Sequence, residues 1–126
     1  MSNVVLYIED NPDNMTLVRR ALEARGYTFV EAATGLKGVE VAETQEIDLI
    51  LLDINLPDID GYEVARRLRT SQNTKLAYIP IIAVTANALK GDAERALSAG
   101  CDVYMSKPIN IRELWAQVEG LLPSSK

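Results

Sequence analysis

No histidine occurs among the 126 residues. That absence removes most metalloenzyme sites, serine-type triads and any role as a phosphohistidine carrier. Histidine chemistry can then come only from a partner. The single cysteine excludes an internal disulfide and fits a reducing, cytoplasmic setting. No apolar run approaches the length that spans a bilayer, and the N-terminus lacks the apolar core of a signal peptide. Basic runs are missing as well. Thirteen Lys and Arg stand against 18 Asp and Glu, a net charge of −5, which is the wrong sign for nonspecific nucleic-acid binding. There is no internal repeat, low-complexity segment or linker, and 48% apolar composition suffices for a core. Residues 1–126 therefore read as one domain, with its core at about 4–122 and no output domain.

What the chain does have is three apolar runs that each end in charge. Val4 to Ile8 runs into Glu9 and Asp10, Leu49 to Leu52 into Asp53, and Val103 to Met105 leads to Lys107-Pro108. If the three are parallel neighbours in one sheet, their ends converge. Three acids and one cation in one place have the composition of a site that holds Mg²⁺ and handles phosphate.

The segments between those runs decide whether the strands are parallel. A first helix is expected from Asn11-Pro12, with proline just inside its start, Leu17, Val18, Ala21 and Leu22 on one face, and Gly26 as its stop. A last helix follows Asn110, where Ile111, Leu114, Trp115, Val118, Leu121 and Leu122 recur at helical spacing. Helices near Gly35–Thr44, Gly61–Thr70 and Ala88–Ala99 fill the other gaps. Five strands alternating with five helices predict an α/β fold, a doubly wound parallel sheet with helices on both faces. Right-handed crossovers put all strand C-termini on one edge, where such sheets bind ligands. Glu9, Asp10, Asp53, Thr85 after the fourth strand and Lys107 after the fifth all belong to that edge.

In this order, Glu9-Asp10, Asp53, the Leu56-Pro57…Asp60-Gly61 loop, Thr85-Ala86 and Lys107-Pro108 resemble the response-regulator receiver domain of two-component signalling. The resemblance runs from about Val4 to Leu122. The stretches from Thr85 to Asp92 and from Ala99 to Pro108 are similar to stand-alone receivers of the cell-division regulator type and to receivers inside hybrid kinases. It implies a flavodoxin-like strand order 2-1-3-4-5. It also implies a phosphoacceptor signalling protein rather than an enzyme, with self-phosphorylation from small donors and autodephosphorylation expected.

The chemistry sets its own requirements. A phosphoryl group carries charge on three oxygens, so a carboxylate attacks it only when that charge is neutralised. Asp10 and Asp53 offer oxygens to Mg²⁺ (or Mn²⁺), and Glu9 is available directly or through a water. The resemblance adds the backbone carbonyl of Asn55 as a further ligand. Lys107 brings a compact cation for a phosphoryl oxygen. The Thr85 hydroxyl and, by resemblance, the Ala86 N–H take another. Asp53 is then the nucleophile and becomes an aspartyl phosphate. By resemblance Tyr104 is the aromatic that moves inward when Thr85 shifts, and Asn55 and Asn87 influence phosphate lifetime.

Duller roles stand beside these. Asp53 alone reads as a turn acid, Glu9-Asp10 as part of a helix cap, Thr85 as a strand-end hydrogen-bonder and Tyr104 as a packing residue. Cys101 reads as a small buried hydrophobe, Pro80 as a strand start, and Trp115 as core or interface. The fourth helix offers mostly small residues (Ala88, Ala93 and Ala96 beside Leu89 and Leu97), so it buries little area and should shift most easily. The family's readout surface is the fourth helix, fifth strand and fifth helix. The partners it implies are a sensor histidine kinase or histidine phosphotransfer protein and a downstream protein target, with the chain a monomer or a weak phosphorylation-dependent dimer. Two other classes remain. An aspartate-nucleophile phosphohydrolase would place its nucleophile on the first strand with a second aspartate two residues on, where this chain has Asp53 on the third strand followed by Asn55. A nucleotide- or flavin-binding module would need a glycine- or hydroxyl-rich phosphate loop after the first strand, where Glu9-Asp10-Asn11-Pro12-Asp13 repels phosphate unless metal is present.

Overall fold

The computed structural model describes residues 3–86 and 91–122. Its strands are β1 (Val4–Ile8), β2 (Thr28–Ala32), β3 (Leu49–Asp53), β4 (Ile81–Thr85) and β5 (Val103–Ser106). They alternate with α1 (Pro12–Glu23), α2 (Gly35–Thr44), α3 (Gly61–Arg69), α4 (Asp92–Ala99) and α5 (Ile111–Leu121). A 3-10 turn over Thr74–Ala77, which periodicity does not reveal, precedes β4. All four strand pairings are parallel and the order is 2-1-3-4-5, as the alternation and the resemblance predict.

Strand alternation divides the core between the two faces. Leu6, Ile8, Ile50, Leu52, Ile81 and Ala83 face α2 and α3 with Val41, Val64 and Leu68. Val5, Tyr7, Leu49, Leu51, Ile82 and Val84 face α1 and α5 with Val18, Leu22, Leu114 and Val118. Every residue of β3 and β4 is buried, which is why both read as unbroken apolar runs. On α1 the buried stripe is Met15, Val18, Ala21 and Leu22, while Leu17 is 45% exposed. Leu17 lies about 100° from Val18, which is the stripe's centre, and beyond Ala21 at its edge, so it falls outside the stripe. Trp115 is half-buried: its Nε1–H donates to the Ala21 carbonyl at 2.7 Å, and the Arg25 guanidinium lies 3.9 Å over its ring. It therefore clamps α5 to α1.

Helix starts are fixed by side chains. Asn11 caps α1 by accepting from the N–H groups of Asp13 and Asn14 at 2.9 and 3.0 Å, so the cap is Asn11 rather than Glu9 or Asp10. Asp60 caps α3 through Glu63 N–H at 2.9 Å, and Asn110 caps α5 through Glu113 N–H at 3.0 Å. Thr34 caps α2, but two further α2 amides, Gly35 and Leu36, donate to Asp58 at 2.9 and 2.8 Å. Asp58 belongs to the β3–α3 loop, so this contact ties that loop to α2. Burial pushes its carboxyl up, but the amide donors together outweigh this and hold it below the ordinary range. The Asp58→Ala variant is expected to lose about 1 kcal/mol, read as a lower denaturation midpoint at unchanged slope.

The expected fourth helix is present from Asp92; Asn87, Ala88 and Leu89 lie outside the described residues. Among the described residues it buries Ala96 and Ala99, whereas α5 buries Leu114 and Val118. A buried leucine or valine contributes about 2 kcal/mol, so the alanine interface of α4 holds it more weakly. Gly100, at φ 114°, ends α4 in the left-handed region open to glycine. Arg69 fixes that end. Its guanidinium donates to the carbonyls of Gly100, Leu76 and Ile79 at 2.9, 2.8 and 2.7 Å and to Asp102 at 2.9 Å. Among the described residues no helix is long and apolar enough to cross a membrane.

Candidate metal and phosphoryl site

Parallel pairing in register places the ends of β1, β3, β4 and β5 side by side. Ile8 pairs with Leu52, Asp53 with Val84, and Thr85 with Ser106. Glu9, the residue after Ile8, therefore comes level with Asp53, while Ala86 and Lys107 lie two residues further out along the next two strands, so the charged strand ends share one edge of the sheet. The Lys107–Pro108 peptide bond is cis.

Glu9 and Asp53 are each 1% exposed and Thr85 2%, the buried polar residues of the chain's described part. The Lys107 ammonium lies between the two acids, 3.0 Å from Glu9 Oε1 and 3.2 Å from Asp53 Oδ2. The other Asp53 oxygen accepts the Asn55 N–H at 3.0 Å, and Glu9 Oε2 accepts the Asn11 N–H at 3.1 Å. Asp10 is exposed at the rim. One oxygen from each of Glu9, Asp10 and Asp53 lies within 4.8 Å of the others. On the far side the Asn55 side-chain oxygen stands 3.5 Å from the Ala86 N–H. The Thr85 carbonyl accepts the Lys107 N–H at 2.7 Å. Tyr104 is half-buried on the opposite face of β5 from Met105, against the α2–α3 core.

The two buried acids titrate in opposite directions. Burial pushes the Asp53 carboxyl up to about 6, and the negative charge of Glu9 adds to this against the Asn55 N–H and Lys107. Burial works on Glu9 too, but the Lys107 ammonium, the Asn11 N–H and the Tyr7 hydroxyl together hold it below the ordinary range. Lys107 is lowered by burial and raised more strongly by its two carboxylates. Three carboxylates thus cluster around a single ammonium that pairs with two of them, leaving surplus negative charge behind an all-oxygen donor set. That chemistry fits a hard divalent cation such as Mg²⁺.

All the strand-end residues singled out in the sequence come together here. Two participants escape a motif reading. Tyr7 donates its hydroxyl to Glu9 Oε1 at 2.9 Å from within the sheet, and Asn14 approaches the same oxygen at 3.5 Å from α1. The signal for Tyr7 is modest. It is the one aromatic in β1 and stands two residues before Glu9, hence on the same face.

Comparison with known proteins agrees with this arrangement. The family model of the response regulator receiver domain matches residues 5–119. The polar-differentiation response regulator DivK of Brucella ovis is 44% identical over 111 residues, covering 88% of this chain and 89% of that protein. The receiver domain of the sensor histidine kinase PA1611 from Pseudomonas aeruginosa, solved with a magnesium ion coordinated in its active-site cleft, is 40% identical. It superposes with a TM-score of 0.87 over 96% of this chain and 98% of that one. The receiver domain of Saccharomyces cerevisiae Ssk1, solved with the histidine phosphotransfer protein Ypd1, is 27% identical with a TM-score of 0.86, over 95% and 88% of the two chains. A match over nearly the whole fold, with the acidic cluster at the sheet edge, makes this chain a member of the response-regulator receiver family.

Proposed function

We propose that the protein takes a phosphoryl group from a partner's phosphohistidine onto Asp53 and signals through a protein-contact face biased by that modification. One observation carries the proposal: a buried carboxylate with one oxygen fixed by a backbone N–H and the other paired to a lysine, beside two more acids. A carboxylate oxygen of Asp53 forms the new bond to phosphorus. The P–N bond of the donor breaks, and the imidazole nitrogen keeps its electron pair and picks up a proton. Mg²⁺ held by Asp10, Asp53, the Asn55 carbonyl and Glu9, the last directly or through a water, would neutralise charge on the phosphoryl oxygens. Lys107 turns from its two carboxylates to a phosphoryl oxygen, and the Thr85 hydroxyl and Ala86 N–H take another.

Signalling needs a movable element. Thr85 shifting toward the phosphoryl group lets Tyr104 move inward, and the lightly packed α4 follows, biasing a pre-existing equilibrium. The target surface is then α4, β5 and α5, and a cytoplasmic histidine kinase or phosphotransfer protein is the donor. The Ypd1–Ssk1 receiver complex supports such a donor by similarity. Phosphoramidate, which carries the same kind of P–N bond as phosphohistidine, tests the donor chemistry. It is expected to add one base-labile phosphoryl group to the folded protein in the presence of Mg²⁺, seen by intact mass. No adduct from phosphoramidate would contradict transfer from a P–N donor.

A further inference from the structure

Tyr7 takes no part in the phosphoryl chemistry described so far, yet its hydroxyl is aimed into it. The side chain is fully buried in β1, paired in register with Glu31 of β2 and Leu51 of β3, and its ring meets Phe29 edge-on at 6.5 Å. Its hydroxyl lies 2.9 Å from Glu9 Oε1, the same oxygen that accepts Lys107 at 3.0 Å. Asn14 stands at the limit of hydrogen bonding to that oxygen, 3.5 Å away. Glu9 Oε1 therefore has two close donors, one charged and one neutral.

Phosphorylation separates those two donors. Meeting a phosphoryl oxygen draws the Lys107 ammonium away from Glu9 Oε1, at a carboxylate that is only 1% exposed. With the ammonium drawn off, the Tyr7 hydroxyl is the close protein donor left on Oε1 and fixes how the carboxylate faces the metal. We propose that Tyr7 is a positioning residue, whose hydroxyl keeps Glu9 satisfied and in place while Lys107 turns to the phosphoryl group. The inference rests on the phosphoacceptor reading of Asp53. Tyr7 is suited to the task because it stays a donor. An ordinary phenolic O–H, with a pKa of about 10, is protonated at neutral pH, and this one is aimed at Glu9 Oε1 from 2.9 Å. In the resting state Lys107 and the Asn11 N–H still hold Glu9 without it, so its effect belongs to the transfer step rather than to assembly of the acidic cluster.

The test compares wild type, Tyr7→Phe and Phe29→Leu, each checked for folding by thermal melting. Phosphorylation by acetyl phosphate is followed across a Mg²⁺ titration. Tyr7→Phe is expected to lower the rate constant at saturating Mg²⁺ and donor about tenfold, as loss of one buried hydrogen bond implies. The Mg²⁺ concentration giving half the maximal rate should move less than about threefold, since the resting cluster keeps its other donors. Phe29→Leu loosens the packing around Tyr7 but leaves the hydroxyl, and should keep the maximal rate. An unchanged maximal rate in Tyr7→Phe overturns the proposal. So does a loss of equal size in Phe29→Leu, which would assign the effect to packing, or one seen wholly in the Mg²⁺ dependence. Absence of phosphorylation in wild type itself defeats the phosphoacceptor reading, and the role of Tyr7 with it.

Discussion

Replacing Lys107 by methionine is expected to lower the stability of the metal-free protein at pH 7 by about 3 kcal/mol. The methionine keeps much of the apolar stem, so the change removes the charge and little packing. Glu9 and Asp53 then face each other, both 1% exposed, without the ammonium that now lies 3.0 and 3.2 Å from them. Two like charges in one buried place disfavour the doubly ionised state, so the folded-state pKa of the pair rises above its unfolded value. A group raised in this way stabilises the fold at low pH and loses that contribution as pH rises through its folded pKa. The deficit of Lys107→Met relative to wild type should therefore shrink as pH falls from 7 toward 4. Wild-type Asp53, already raised to about 6 by burial, bends the wild-type curve in the same sense, while the lowered Glu9 opposes it. Urea denaturation at several pH values measures the difference. A deficit independent of pH would mean that Lys107 acts by packing and not by charge.

A second large effect is expected at Gly61, which sits where α3 begins against the strand that carries Asp53. A methyl group there would lie 2.6 Å from the Ile54 Cα and 2.7 Å from the Asp53 carbonyl oxygen. Both are backbone atoms and cannot rotate away. The Gly61 N–H also donates to the Ile54 carbonyl at 2.9 Å, so the close approach is built into the loop's own hydrogen bonding. Gly61→Ala should cost about 3 kcal/mol and displace the Asp53–Asn55 backbone, weakening Mg²⁺ binding in parallel. Gly120 supplies the contrast. It lies in α5 with nothing within 4 Å of an added methyl, and Gly120→Ala should gain about 0.5 kcal/mol through helix propensity. If the two alanine variants unfold at the same denaturant concentration, the close approach at Gly61 carries no energy.

The fold was legible because β3 and β4, buried on both faces, and β1, buried beyond its first residue, are continuous apolar runs. The parallel arrangement followed from the helices between them, and the convergence of Glu9, Asp53 and Lys107 followed from the parallel arrangement. Edge strand β2 reads less clearly, since its Thr28 and Glu31 are exposed and only Ala32 is buried. What stayed hidden are contacts between side chains distant in sequence. Arg69 looks like one of several arginines on an amphipathic helix. It differs from Arg66 and Arg67 because Gly100 and Asp102, more than 30 residues on, turn back beneath it. Asp58 likewise looks like a turn acid until α2 comes up against it. Leu17 fails for another reason. Helical periodicity fixes a stripe only to within a residue, and this one is centred near Val18 and extends toward Leu22 and Met15, away from Leu17. Tyr7 was unreadable because a tyrosine within an apolar strand is ordinarily explained by packing alone.

Asp53 as phosphoacceptor is tested by the intact mass of wild type and Asp53→Asn after incubation with acetyl phosphate, with and without Mg²⁺. One Mg²⁺-dependent, base-labile phosphoryl adduct on wild type and none on Asp53→Asn is the predicted result. An equal adduct on the folded Asp53→Asn protein would place the acceptor elsewhere and contradict the central claim.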